Sequence, residues 1–181
     1  LTSIAHLDGF YYKPRIDKET LAKYSKGLIG STACMGGEIP RLLLSEQFDE
    51  AKKTARQYQD ILGKGNFFIE IQHHPNVPNY DLVNKRMIEL AKELNIPLIA
   101  TQDVHYLRKD DDIAQDALVA IQTNASVNDT NRLTMKGDNY SFRNTEEMCS
   151  LFKEFPDAIK NTLDIAEMCN TELKLGEWVF P

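Results

Sequence analysis

The sequence predicts an α/β protein with a largely parallel sheet or barrel covered by helices. Two observations carry this prediction. Amphipathic helical segments alternate with strand candidates of four to seven residues, and that alternation is the pattern of repeated helix–strand units. Glycine, proline or asparagine then punctuates most of the junctions.

The elements follow in order. Residues 17–26 open with Asp17 as an N-cap and stop at Gly27. Residues 28–32 are a short strand candidate. Helices are expected over 36–45 and 48–62, and the second carries an apolar face of Ala51, Ala55, Tyr58 and Leu62. Gly63 and Gly65 end it. Residues 66–72 alternate, with Phe67, Ile69 and Ile71 on one side and Phe68, Glu70 and Gln72 on the other. The pattern over 82–94 predicts a strong helix, broken at Asn95–Ile96–Pro97 before a strand over 98–101. Asp110, Asp111 and Asp112 open the next helix, where acidic side chains complement the helix dipole.

The character changes after about Thr123, which divides the chain into 1–123 and 124–181. Residues 124–139 are polar and loop-like, and 140–142 form a short extended piece. Asn144 and Glu147 make a capping box for a helix reaching about Glu154. Pro156 starts another helix, reaching Met168. The apolar end over 175–181 and the N-terminus without Met both read like parts of a longer chain.

Composition limits the function. Of 181 residues, 42% are hydrophobic and 27% charged, as in ordinary globular proteins. The net charge of −6 argues against a dedicated electrostatic nucleic-acid binder. It leaves room for a nucleic-acid enzyme, because bound divalent cations offset local negative charge. No apolar run approaches the ~20 residues of a membrane-spanning helix. Cys34, Cys149 and Cys169 are odd in number and widely spaced, which suits a reducing cytoplasm.

The most informative stretch is Gln102–Asp103–Val104–His105, directly after the strand over 98–101. Side chains at i and i+2 of an extended chain share a side, so Asp103 and His105 can converge on one cation. The alternative is a turn-capping aspartate with a surface histidine. Cys34 lies two residues beyond another strand candidate, either as a ligand or as a small residue packed under a Gly-Gly turn. Glu38 reads as a capping charge. His73 and His74 close the strand over 66–72, and the following Pro75 suggests an exposed turn. His6 has no local partner. Residues 10–15 join Phe10, Tyr11 and Tyr12 to Lys13 and Arg15, either as a nucleotide-contacting loop or as a loop packed by its own tyrosines.

Taken together, 6–17, 27–38, 68–72 and 97–106 resemble the PHP (polymerase and histidinol phosphatase) domain of the alpha subunit of bacterial DNA polymerase III. Asp112, Asp116, Gln122, Thr123, the 140–148 segment, 165–170 and 175–177 continue the likeness across essentially the whole chain. The resemblance implies a distorted (β/α)7 barrel, incomplete at the N-terminus, then helices leading toward the polymerase palm. It implies Cys34, Asp103 and His105 as metal ligands, with Zn²⁺ favoured and Mn²⁺ or Fe²⁺ as alternatives. The implied chemistry is metal-assisted 3′–5′ exonuclease or phosphoesterase action in the complete protein. Some members carry a degenerate site and serve as a scaffold. A stand-alone small-molecule phosphatase is the remote third reading. Implied partners are DNA and other replicase subunits, such as the sliding clamp or a proofreading exonuclease, in the bacterial cytoplasm. The family's His-x-His motif is absent from this sequence and is expected upstream of Leu1, so the isolated fragment is expected to be inactive.

Overall fold

The computed structural model describes residues 1–172 and 174–178. Helix α1 (Thr2–Leu7) leads into a hairpin of β1 (Phe10–Tyr11) and β2 (Lys13–Pro14). Helix α2 (Lys18–Lys23) and strand β3 (Gly30–Ser31) follow, then α3 (Glu38–Leu44) and α4 (Phe48–Leu62). Strand β4 (Phe67–Gln72), α5 (Tyr80–Leu94) and β5 (Leu98–Thr101) complete the sheet. A 3₁₀ turn (Lys109–Asp111), α6 (Asp112–Gln122), α7 (Thr145–Leu151) and α8 (Pro156–Met168) come last.

The sheet order is β3-β4-β5, and both pairings are parallel. Gly30 pairs with Phe67, and the second ladder runs from Ile69 opposite Leu98 to Gln72 opposite Thr101. The described residues thus form a small parallel sheet of three strands beside an antiparallel hairpin, an α/β arrangement. The seven strands of the expected barrel are more than these described residues supply.

The alternation in β4 has a direct structural consequence. Phe67, Ile69 and Ile71 enter the main core with Ile39 and Leu43 of α3, Ala51 and Ala55 of α4, and Met87 and Leu90 of α5. The opposite face of β4 is also covered: Phe68 and Gln72 are buried. Helix α8 packs on β5, and Asn161 Nδ2 donates to the carbonyl of Leu98 at 2.7 Å. Phe152 and Ala158 join the same core, so the C-terminal helices seal the outer side of the sheet.

Several boundaries differ from expectation for local reasons. The strand expected over 28–32 shortens to Gly30–Ser31, because it is paired on one side only and Ala33 turns left-handed at φ 57. Helix α3 begins at Glu38, after Gly37. A Cβ on Gly37 would lie 2.2 Å from the carbonyl oxygen of Thr32, so a glycine is required where the strand returns into the helix. Helix α5 begins two residues early, at Tyr80, following left-handed Asn79. The expected helix from Asp110 starts with a 3₁₀ turn. The capping box at Asn144 forms in both directions, with Glu147 N–H donating to Asn144 at 2.8 Å, but α7 stops at Leu151. Helix α1 and the hairpin had no periodic signal. Of the apolar 175–181 end, Leu175 and Trp178 are exposed, and 179–181 lie outside the described residues.

The polar 124–139 stretch is pinned rather than loose. Asp116 of α6, only 3% exposed, receives Arg132 Nη1 at 2.7 Å, Thr134 Oγ1 at 2.7 Å and Lys136 Nζ at 3.0 Å. The hydrogen bonds from Arg132 and Thr134 hold its carboxyl well below the usual carboxylate range.

Two predictions follow from this packing. Ile69→Ala, at a fully buried position in the central strand, should cost about 2–5 kcal/mol by urea unfolding. The depressed Asp116 carboxyl contributes stability that is complete above about pH 5 and fades as pH falls below its ordinary value near 4. Amide protection factors over 124–136, corrected for the intrinsic pH dependence of exchange, should therefore fall on acidification, and in Asp116→Asn they should be low already at neutral pH.

Candidate functional site

Three parallel strands point their C-terminal ends to one edge of the sheet, the position where sites in α/β folds are built. The residues that follow them are Thr32–Ala33–Cys34 after β3, His73–His74 after β4, and Gln102–Asp103–Val104–His105 after β5. Parallel topology therefore sends the loops carrying Cys34, His74, Asp103 and His105 to the same edge of the sheet.

Asp103 and His105 meet, with His105 Nε2 3.3 Å from Asp103 Oδ1, and both side chains are about one-third exposed (37% and 28%). Strand alternation is not what brings them together, because β5 ends at Thr101. Asp103 adopts φ 54, a left-handed conformation that aspartate tolerates better than most residues. The His105 amide then donates to the carbonyl of Tyr140 at 2.9 Å, anchoring the far end of the turn. Ala33 has φ 57 immediately before Cys34. Alanine gains no local hydrogen bond from that conformation, so the surrounding structure imposes it.

Cys34 is half-buried and a free thiol. Burial pushes the phenols of Tyr80 and Tyr140 up, Tyr140 to about 12, and the Asp103 carboxylate pushes both further. Among the described residues, no group of three or more His, Cys, Asp or Glu is arranged to hold a metal ion. Asp103 and His105 are thus a close carboxylate–imidazole pair, two donors rather than three. Their separation matches the ~3.4 Å expected between two ligands held 2.0–2.1 Å from one tetrahedral ion.

His74 corrects the expectation of an exposed His-His-Pro turn. It is 1% exposed. Its ring stacks on Tyr140 at 4.4 Å and meets the edge of Tyr80 at 5.0 Å. Nδ1 lies 3.7 Å from Asp138 Oδ1, and neither ring nitrogen has a hydrogen-bond partner among the described residues. Burial lowers its pKa, against the opposing pull of Asp138 and Asp103. The Asp138 partner lies far away in sequence, so no local pattern could have found the pair.

Beneath the edge runs a polar network that sequence reasoning also missed. Glu70 accepts from Ser31 of β3, Thr101 of β5 and, at 2.8 Å, from Gln72 Nε2. Gln72 also donates to Thr101 Oγ1 at 3.0 Å and accepts from the Tyr80 hydroxyl. The Glu70 amide donates to Thr32 Oγ1 at 2.9 Å. One carboxylate therefore ties all three strands together just below the candidate site. The alternation had set Glu70 and Gln72 on one face, which was the available signal.

Other residues lie elsewhere. His6 bonds to its own helix, Nδ1 to Thr2 O at 2.9 Å, and is exposed. Glu38 occupies the first turn of α3, as expected of a capping charge, and also accepts from Lys18 at 2.9 Å and from the Tyr58 hydroxyl at 2.8 Å. Partial burial would raise its pKa, but those two donors leave it lowered.

The network predicts that Glu70→Ala, which strands several donors, destabilises by about 1–3 kcal/mol. Glu70→Gln keeps one acceptor and should cost less. Thermal unfolding of the two variants side by side checks the order.

Residues 1–74 match the PHP domain family. The chain is 45% identical over 170 residues, 94% of its length, to the DNA polymerase III subunit alpha of Borreliella burgdorferi. It is 42% identical over 96% of its length to that of Treponema pallidum, and 37% over 98% to that of Thermus aquaticus. In each case it spans about 15% of the relative's length. The chain is therefore similar, over nearly all of its own length, to one stretch of DNA polymerase III alpha subunits, and its first 74 residues resemble the PHP domain family.

Proposed function

We propose that this chain is part of a replicative DNA polymerase III alpha subunit, a DNA-directed DNA polymerase, and that its PHP domain acts as a metal-dependent 3′–5′ exonuclease or phosphoesterase in the complete protein. The observation that carries the hydrolytic reading is the 3.3 Å approach of Asp103 and His105 at the C-terminal edge of the parallel sheet. Cys34, in the loop that leaves the same sheet edge after β3, is the third proposed ligand.

On this reading the three strands are part of a (β/α)7 barrel, and residues 124–181 lead from it toward the palm. The proposed partners are DNA, the sliding clamp and a separate proofreading subunit, in the bacterial cytoplasm; no helix among the described residues is long and apolar enough to cross a membrane. Asp103 and His105 would hold a divalent ion, Zn²⁺ ahead of Mn²⁺ or Fe²⁺, together with Cys34 and ligands from elsewhere in the protein. Such an ion would polarise a phosphate oxygen and activate water for attack on the phosphodiester. The chain's own contribution is positional. Left-handed Asp103 aims its carboxylate beside His105, and the Glu70 network fixes the strands beneath.

The second reading is a PHP module without catalysis that stabilises the polymerase or docks a proofreading subunit. The absence of a three-donor group among the described residues favours it. Asp103→Asn in the complete protein separates the two. The change preserves size but removes the charge that would hold a cation. The hydrolytic reading expects metal-dependent 3′–5′ exonuclease activity to fall by at least about 100-fold, in the range of losses seen when a transition-state electrostatic group is removed, while polymerisation in the same preparation persists. Unchanged exonuclease activity points to the architectural reading.

A further inference from the structure

We propose that the β1–β2 hairpin is a single-stranded DNA contact, in which Tyr11 and Tyr12 offer ring faces to bases while Lys13 and Arg15 hold the backbone phosphates. The inference rests on the proposed DNA role of the protein but not on hydrolysis at the Asp103–His105 edge.

The hairpin is a built feature. The Arg15 amide donates to the Gly9 carbonyl at 3.1 Å and closes its base. A Cβ on Gly9 would lie 1.9 Å from Arg15 O, so only glycine permits the closure. Phe10 pairs with Pro14 and Tyr11 with Lys13, which leaves Tyr12 alone at the tip. Tyr12 takes a left-handed φ of 57, a conformation that a bulky side chain adopts only when the chain around it demands it.

The tyrosines are not packed by their own loop. They touch each other edge-on at 4.6 Å, yet Tyr11 stays 67% and Tyr12 82% exposed, beside Phe10 at 59%. The guanidinium of Arg15 lies 5.8 Å from the Tyr11 ring centroid. Neither Lys13 nor Arg15 is in an ion pair with a described residue, whereas Asp17 caps the Thr20 amide and Lys18 is engaged by Glu38. The charges around the hairpin are therefore free for an external anion.

Charge decides what kind of partner fits. Residues 1–26 carry five Lys and Arg against three Asp and Glu, in a chain whose overall net charge is −6. The hairpin is a basic end on an acidic protein, complementary to a polyanion. Exposed aromatic rings interleaved with cations suit a single strand, whose base faces are open, better than a duplex, whose bases stack on each other.

The test uses the complete parent protein with Tyr12→p-benzoylphenylalanine, irradiated with labelled oligodeoxythymidylate, while total DNA binding is followed by gel shift in the same sample. The expected result is a protein–DNA cross-link that unlabelled single strands suppress and equal duplex does not. Arg15→Gln in the same background should make the yield less salt-dependent, by about 0.7 in log–log slope for one lost phosphate contact. Intact DNA binding with cross-links only to other parts of the protein means the hairpin is covered by the protein itself, and overturns the proposal. Equal suppression by duplex overturns the stacking assignment. If the parent protein shows no DNA binding at all, the broader DNA role fails as well, which distinguishes the two failures.

Discussion

Strand β4 is held by a parallel ladder on each side, and the candidate Asp103–His105 edge is positioned by those two ladders. A parallel register orients all three strands the same way, so their C-terminal ends, and the loops carrying Cys34, His74, Asp103 and His105, emerge together. The ladders persist because β4 is covered on both faces. Phe67, Ile69 and Ile71 exclude water on one side, with helices α3, α4 and α5 closing over them. Gln72 and Phe68 are buried on the other. A buried polar face survives only if its groups find partners, and Glu70, Gln72, Thr101 and Tyr80 satisfy one another there.

The same arrangement explains where local conformational strain has collected. Ala33 and Asp103 both take left-handed backbones directly beyond β3 and β5. At those two points the chain must leave the sheet abruptly while still presenting a side chain at its edge. Extended strands would have carried Cys34 and His105 away from the edge. The turns instead keep Asp103 and His105 in contact, and the carbonyl of Tyr140 secures the second of them. Tyr140 is also the ring on which His74 stacks, so a residue from the late polar stretch forms one wall of the site. That stretch is pinned by the Asp116–Arg132 pair, a few residues before Asp138 and Tyr140 in the chain.

Local chemistry was legible in the sequence wherever the interaction is short-range. The helices Phe48–Leu62 and Pro156–Met168 and the strand Leu98–Thr101 have the bounds their periodicity and punctuation predict. The Asp17 cap and the Asn144–Glu147 capping box form as written, because each joins groups three residues apart. The likeness to DNA polymerase III alpha subunits was equally legible, since it rests on ordered motifs rather than on any distance in space.

Tertiary structure decided what depends on distant partners. His-His-Pro reads as an exposed turn, but His74 is buried because Tyr80 and Tyr140 close over it from elsewhere in the chain. Glu70 looked like the polar member of an alternating strand. It became the tie across three strands only once Ser31 and Thr101 flanked it. Residues 10–15 carried two readings, a nucleotide-contacting loop or one packed by its own tyrosines, and the exposure of Tyr11 and Tyr12 argues against the second. The sequence by itself determined most of the helices, the Asp17 and Asn144 caps and the chemical types at each strand end, because these follow from contacts within a few residues. Which of those side chains meet was fixed by sheet order and left-handed turns, which arise only when segments tens of residues apart pack together.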